Sequence, residues 1–314
     1  MKHKHKVLRN YLVEDIQDPR INVQSILCRH WLIEQLFGDK FAYLAEHELR
    51  YSLIMNWLNK LYKRNIRVNQ LQAILFGLIE KQDNIDGIEI PPYVSHTFAS
   101  LACPNYNYDL LNWAPSDTND TAFPEYIITT FQRIWSEVLE NEQSQKISVL
   151  EPACGSANDY RFLASFGMAK FLNYSGFDLC TKNITNAKHM FPDVFFNTGN
   201  VLEIQAEDKS FDYCFLHDLF EHFSIEAMEL AVKEICRVTR KGICTSFFNM
   251  HDEKEHIIKT VHDYYWNRLS MSAMVNLFKQ YFDRVKVIHI DSFLSSQFSC
   301  GDTQNKNAYT FIIS

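Results

Sequence analysis

Two rhythms of apolar residues divide the chain. In the first part they fall three and four positions apart: Leu53, Ile54, Trp57, Leu58, Leu61 and Tyr62, then Val68, Leu71, Ile74, Leu75, Leu78 and Ile79. That spacing places each set on one face of an α-helix, and such a face must be covered. Residues 1–81 are therefore expected to form a small helical domain or cap. Its stripes would pack on each other, on the following domain or on a second subunit, which makes a homodimer through these helices one expectation.

From about residue 126 the rhythm changes. Ile127, Phe131, Ile134, Trp135, Val138 and Leu139 share one helical face. Short apolar runs follow at 147–151, 173–178, 194–198, 211–216 and 243–248, separated by helical patterns at 159–168, 181–191 and 225–238. A further helix is expected at 268–282, and strands at 285–290 and 308–313. Strands alternating with helices predict crossover connections. Residues 126–314 are thus read as an α/β domain with a doubly wound, mostly parallel sheet of seven strands.

Composition sharpens the boundary between the two parts. Residues 82–125 hold five of the eight prolines and carry no Lys or Arg against seven acids. Proline ends helices and biases its predecessor toward extended structure, so no regular helix is expected here. Tyr93, Phe98, Tyr106, Tyr108 and Trp113 make the stretch too aromatic for a bare linker. It is read as an irregular connecting segment packed over a cleft. The whole chain has 314 residues, 46% of them hydrophobic, and a net charge of −7. An acidic balance argues against sequence-independent nucleic-acid binding, although residues 1–81 are locally basic at +5. The eight cysteines form no Cys-x-x-Cys pair and mostly sit in apolar runs, as buried packing residues do. The basic start lacks the apolar stretch of a secretion signal, and no apolar run approaches a membrane span. A soluble cytoplasmic protein is expected.

The chemistry concentrates in Glu151-Pro-Ala153-Cys-Gly155-Ser-Ala157. An apolar strand ends in an acid, small residues make a turn, and a helix follows. Small residues let backbone approach a ligand, and the helix start aims free N–H groups above the strand. A dinucleotide fingerprint, Gly-x-Gly-x-x-Gly, keeps one glycine of three here, which disfavours a nicotinamide-dependent oxidoreductase. An acid ending the strand repels a pyrophosphate but suits a ligand bearing an ammonium group.

At these residues the chain resembles the class I (Rossmann-like) S-adenosylmethionine-dependent methyltransferases, whose first motif is Asp/Glu-x-Gly-x-Gly-x-Gly. Two of its glycines are alanine here, a departure the fold accommodates if Ala153 and Ala157 keep negative φ. The resemblance continues in order through Gly176-Phe-Asp178, Gly199-Asn-Val201, Phe211–Leu216 running into His217-Asp-Leu-Phe-Glu-His222, and Arg237–Gly242. It covers roughly 126–314. It implies S-adenosyl-L-methionine as cofactor, with Glu151, Ala153, Cys154 and Gly155 at its methionine part. Asp178, with Leu179 beside it, would meet the ribose, and Asn200 and Val201 the adenine. His217, Asp218 and Leu219 would lie near the reactive methyl, with His217 and Asp218 as candidate catalytic residues.

His217, Asp218, Glu221 and His222 offer metal-type ligands, but no further carboxylates accompany them, and no metal is expected. The insertion 249–266 reads as a solvated helix, or as a lid with Tyr264, Tyr265 or Trp266 walling an acceptor pocket. Ile90-Pro-Pro-Tyr93 lacks the Asp or Asn of the amino-methylating DNA enzymes and reads as a proline turn. The expected activity is methyl transfer to an oxygen or nitrogen of a small molecule. The alternative is a cofactor-binding, non-catalytic subunit that docks through its N-terminal helices.

Overall fold

The structure is a computed structural model. It describes residues 19–62, 66, 68–100, 122–262, 264–301 and 305–314. The chain divides into two compact units, one comprising the described residues up to Leu27 with Leu44–Ile134, the other Cys28–Tyr43 with Trp135–Ser314.

The first unit is helical. It takes the start of α1 (Val23–Phe37), most of α2 (Ala42–Tyr62), α3 (Val68–Ile79), α4 (Pro92–Ser100) and the first turns of α5 (Ala122–Glu140). The apolar stripe of α2 is covered: Leu53, Ile54, Trp57, Leu58 and Leu61 are all buried, as are Ile74 and Leu78 of α3. The Asn56 amide donates to the Ile21 carbonyl at 2.7 Å. A two-stranded hairpin, Asn84–Ile85 with Ile88–Glu89, turns on Asp86-Gly87, both at positive φ as that tight turn requires. Helix α4 departs from the sequence expectation. Pro92 takes its first position, where the missing N–H costs nothing and the fixed φ suits a helix start. Tyr106, Tyr108 and Trp113 lie outside the described residues.

The second unit is built on seven strands: β1 (Ile147–Pro152), β2 (Leu172–Asp178), β3 (Phe195–Thr198), β4 (Phe211–His217), β5 (Thr239–Phe247), β6 (Val285–His289) and β7 (Tyr309–Ile313). Their order is β6-β7-β5-β4-β1-β2-β3, with β7 antiparallel to both neighbours and the other pairs parallel. The chain runs outward from β1 to β3, then returns to the other side of β1 to make β4. That reversal opens a crevice at the carboxyl ends of β1 and β4, where ligands bind in such sheets.

Helices α6 (Asn158–Ser165), α7 (Thr181–Met190), α8 (Ile225–Val238), α9 (Met271–Phe278) and α10 (Ile290–Phe298) flank the sheet. Helix α8 shows how sequence sets them. Ser224 caps it by accepting from the Ala227 N–H, and Met228, Ala231, Val232, Ile235 and Cys236 bury one face. They join Leu150, Leu216, Phe247, Phe278 and Phe311 in the core. Each such Val, Leu or Phe contributes about 1.5–3 kcal/mol. Arg29 of α1 is fully buried, with its guanidinium 4.1 Å from the Phe166 ring centre and 5.3 Å from that of Trp135. No described helix is long and apolar enough to cross a membrane.

Candidate functional site

The turn after β1 adopts the left-handed region three times, at Ala153 (φ +57°), Gly155 (φ +54°) and Ala157 (φ +62°). The two alanines therefore do not keep negative φ, which corrects the sequence expectation. Backbone hydrogen bonds impose the conformation. Cys154 N donates to the Phe177 carbonyl, and Ala157 N to the Cys154 carbonyl, both at 3.0 Å. Gly155 N donates to Asp178 Oδ2 at 3.0 Å. A left-handed alanine costs roughly 1–2 kcal/mol, so the surroundings hold this turn against strain. A Cβ on Gly155 would meet nothing within 4 Å, so the space above it is open.

Acids surround the turn. Glu151 is 3% exposed and accepts a short hydrogen bond from the Tyr174 hydroxyl. Burial, then the nearby charge of Asp159, hold its carboxyl well above the usual range; the Tyr174 bond opposes them. Gly176 makes room for this pair, because a methyl there would sit 2.8 Å from the Tyr174 hydroxyl. Asp178 accepts from Cys180 N at 2.7 Å and Asn183 Nδ2 at 3.3 Å on one oxygen, and from Gly155 N on the other. Each carboxylate oxygen retains acceptor capacity. The structure thus brings Glu151, Ala153, Cys154, Gly155 and Asp178 together. Leu179 is 74% exposed beside them. Cys180 is exposed, unlike the other described cysteines, and corrects the reading of these residues as packing groups; Cys103 lies outside the described residues.

Asn200 and Val201 follow β3. Asn200 is exposed, and its side-chain oxygen accepts from Leu202 N at 3.0 Å, closing a local turn. Val201 is buried in the core with Phe177 and Ile204. A cavity of about 100 Å³ beside them is lined by Leu150, Gly176, Phe177, Asn200 and Ile204.

On the other side of the crevice, β4 ends in His217. Its Nδ1 is buried, and among the described residues it has no hydrogen-bond partner. Burial, the largest single influence, disfavours a charged ring, but Asp159, Cys28 and Asp218 together outweigh it and push His217 up to about 9. A ring held protonated at neutral pH has no lone pair with which to accept a proton, which weighs against His217 as a general base. Asp218 adopts φ +52°, and its N–H donates to the Ser246 carbonyl at 2.9 Å. It lies at the open mouth, yet the protein packed around it pushes its carboxyl up to about 6 against the pull of His217. Leu219 is half-buried next to it. Among the described residues, no three or more His, Cys, Asp or Glu side chains are grouped to hold a metal ion.

Three features escaped the sequence reading. The first is Tyr174 as partner of Glu151. The second is a polar clasp at the root of the insertion. Glu221, fully buried and pushed up to about 8 chiefly by that burial, accepts from Phe248 N at 2.8 Å and Asn249 N at 3.3 Å. Its carbonyl accepts from the N–H of buried Asn267 at 2.9 Å, and Asn267 in turn bonds the Phe223 carbonyl and Lys259 N. The third is the packing of His222 and Phe248 against the already singled-out Tyr264 and Trp266, with Phe248 and Trp266 centroids 4.7 Å apart. The described part of 249–266 holds no helix. Met250–His251 pairs with Leu269–Ser270, and Thr260–Val261 forms a hairpin with Tyr264–Tyr265. The run of three aromatics, Tyr264-Tyr265-Trp266, favours extended chain over helix.

Residues 150–244 match the family model described as "Methyltransferase domain". The strand order and the small-residue turn are those of the class I, Rossmann-like methyltransferase fold, and the matched residues run from β1 into β5 of that sheet. No curated protein matches the chain. Solved structures do. One is a SAM-dependent methyltransferase of Methanosarcina mazei, 15% identical over 56% of this chain and 95% of its own, with a TM-score of 0.42. Another, from Mesorhizobium loti, is an S-adenosylmethionine-dependent methyltransferase at 11%, 58%, 95% and 0.42. A third is the 1,6-didemethyltoxoflavin-N1-methyltransferase of Burkholderia thailandensis, determined with S-adenosylhomocysteine, at 13%, 59%, 77% and 0.41.

Proposed function

We propose that the second unit binds S-adenosylmethionine across the β1–β4 crevice and transfers a methyl group to an oxygen or nitrogen of a small-molecule acceptor. The observation carrying this reading is the ring of acids, Glu151, Asp159 and Asp178, around a left-handed small-residue turn at the end of β1. That field favours a cationic ligand with hydroxyl groups and opposes a pyrophosphate. When bound, the cofactor supplies an electrophilic methyl on a positively charged sulfur.

The chain's residues hold and orient. Glu151 faces an ammonium group, and the pairing lowers its raised pKa and ionises it. Backbone at Ala153, Cys154 and Gly155 lines the methionine part, where the open space above Gly155 admits close approach. Asp178 uses its remaining lone pairs on the ribose hydroxyls while its bond to Gly155 N fixes the turn. Asn200 and Val201 border the base, and Leu219 with Asp218 borders the methyl. The half-buried Phe248, Tyr264 and Trp266 form the wall on the acceptor side.

Thermal unfolding with S-adenosylhomocysteine, NAD and NADP in parallel tests the cofactor. A ligand at a hundred times its Kd adds about 2.7 kcal/mol, so the homocysteine nucleoside alone should raise the midpoint by several degrees. A response to NAD instead refutes the reading. Asp178→Ala should weaken S-adenosylhomocysteine by about 10–100-fold, the worth of one or two hydrogen bonds to a charged acceptor. Unchanged affinity removes Asp178 from the site. A panel of hydroxyl- and amine-bearing molecules with radiolabelled cofactor then identifies an acceptor.

A further inference from the structure

His222 lies one short turn beyond β4, beside the rings of Phe248, Tyr264 and Trp266, which the proposed function sets on the acceptor side. Its ring centre is 5.3 Å from that of Trp266, 5.6 Å from Phe248 and 6.2 Å from Tyr264. Its Nδ1 lies 3.1 Å from the backbone carbonyl oxygen of Tyr265. A carbonyl can only accept, so the hydrogen of this bond sits on Nδ1. In a neutral ring that leaves a lone pair on Nε2. No described residue gives Nε2 a hydrogen-bond partner. The ring is half-buried, and that burial holds it below the usual histidine range despite the Tyr265 bond. It is therefore neutral near pH 7, unlike His217.

The backbone carrying it is fixed on both sides. Glu221 is bonded to Phe248 N, Asn249 N and Asn267 N, which ties the turn of His222 to the end of β5 and to the root of the insertion. A neutral imidazole of set tautomer, on a braced turn and among flat apolar rings, suits an acceptor that is itself flat and carries one X–H group.

We propose that His222, rather than His217 or Asp218, is the general base for the acceptor, and that Phe248 and Trp266 hold an aromatic or otherwise planar acceptor against it. This rests on the methyltransferase reading above. The acceptor heteroatom forms a bond to the methyl carbon as the carbon–sulfur bond breaks and its electron pair stays on sulfur. The acceptor proton passes to Nε2, and the imidazolium then gives it to water.

The test uses the full chain with ¹⁵N-labelled histidine, alone and with S-adenosylhomocysteine, and His222→Gln to assign the resonance. Long-range proton–nitrogen spectra at neutral pH should show His222 as a neutral ring protonated on Nδ1. A ring protonated on Nε2, or on both nitrogens, overturns the proposal without any acceptor. With an acceptor found in the panel, H222Q should lose about 100-fold in kcat, within the usual range for a general base, and keep its affinity for S-adenosylhomocysteine. Trp266→Ala should raise KM more than it lowers kcat. A kcat within threefold of wild type in H222Q overturns the role. If wild type fails to bind the homocysteine nucleoside, the methyltransferase reading falls and this role with it. Intact binding with the wrong tautomer sinks this role alone.

Discussion

Ala153→Gly should stabilise the protein, whereas Ala157→Gly should leave it nearly unchanged. Both alanines occupy the left-handed region, at φ +57° and +62°. Glycine relieves roughly 1–2 kcal/mol of that strain at either position. Against this, glycine loosens the unfolded chain and gives back about 0.4–1 kcal/mol. The environments separate the two sites. Ala153 is exposed, so its methyl contributes little packing, and the balance is a gain of about 0.5–1 kcal/mol. Ala157 is fully buried, and losing its methyl forfeits about 0.8 kcal/mol, which cancels the relief. For a domain of this size each kcal/mol moves the midpoint by about 2–4 °C. Thermal and urea unfolding of both variants should show A153G up by about 1–4 °C and A157G within about 2 °C of wild type. A fall of 2 °C or more in A153G refutes the strain argument.

Two further outcomes follow from the buried acids. Tyr174→Phe keeps a ring that packs 4.6 Å from Tyr160 and 5.6 Å from Phe196, but strips Glu151 of its donor. It should cost about 1–3 kcal/mol and raise the pH at which S-adenosylhomocysteine binding becomes strong, because the carboxyl ionises less readily. Equal stability and an unchanged pH profile would dismiss the pair. Asp212 is the opposite case. Burial opposes its charge, but Arg240 at 2.6 Å, Ser148 N at 3.0 Å and Lys241 at 2.9 Å hold its carboxyl below the usual range. Its stabilisation is complete above the ordinary carboxylate range and fades as pH falls through the depressed value. With half-exposed basic partners, Asp212→Asn should cost about 1–2 kcal/mol at neutral pH and flatten the acid limb of stability. An acid limb identical to wild type would remove Asp212 as its source.

The sheet was legible because its strands are short, apolar and spaced by amphipathic helices. Helix α8 falls where the pattern placed it, with boundaries at 225 and 238. Helix α10 was missed although Ile290, Leu294 and Phe298 recur at four-residue spacing, since three serines, an aspartate and a glutamine dilute its nine residues. Strand β5 begins at Thr239, earlier than expected, because Arg240 and Lys241 reach Asp212 from a polar strand start. In the site, sequence spacing located the turn and Asp178, both set by strand ends. It could not place Tyr174 against Glu151, 23 positions away, nor fix the tautomer of His222 through the Tyr265 carbonyl, 43 positions away. Those depend on strand register and on the path of an insertion. The left-handed alanines were misjudged because composition shows which residues tolerate positive φ, not where the chain requires it.

The clasp of Glu221 and Asn267 has a consequence for protein engineering. It ties residues 248–251 and 267–270 to each other and to the turn after β4, through bonds that do not involve the hairpin at Thr260–Tyr265. The hairpin of the insertion is therefore a cassette with natural splice points near Lys259 and Asn267. A foreign loop grafted between them would replace Tyr264 and Trp266 while leaving the acidic cradle at β1 intact. Acceptor preference could then be exchanged without rebuilding the half of the crevice that serves every acceptor alike.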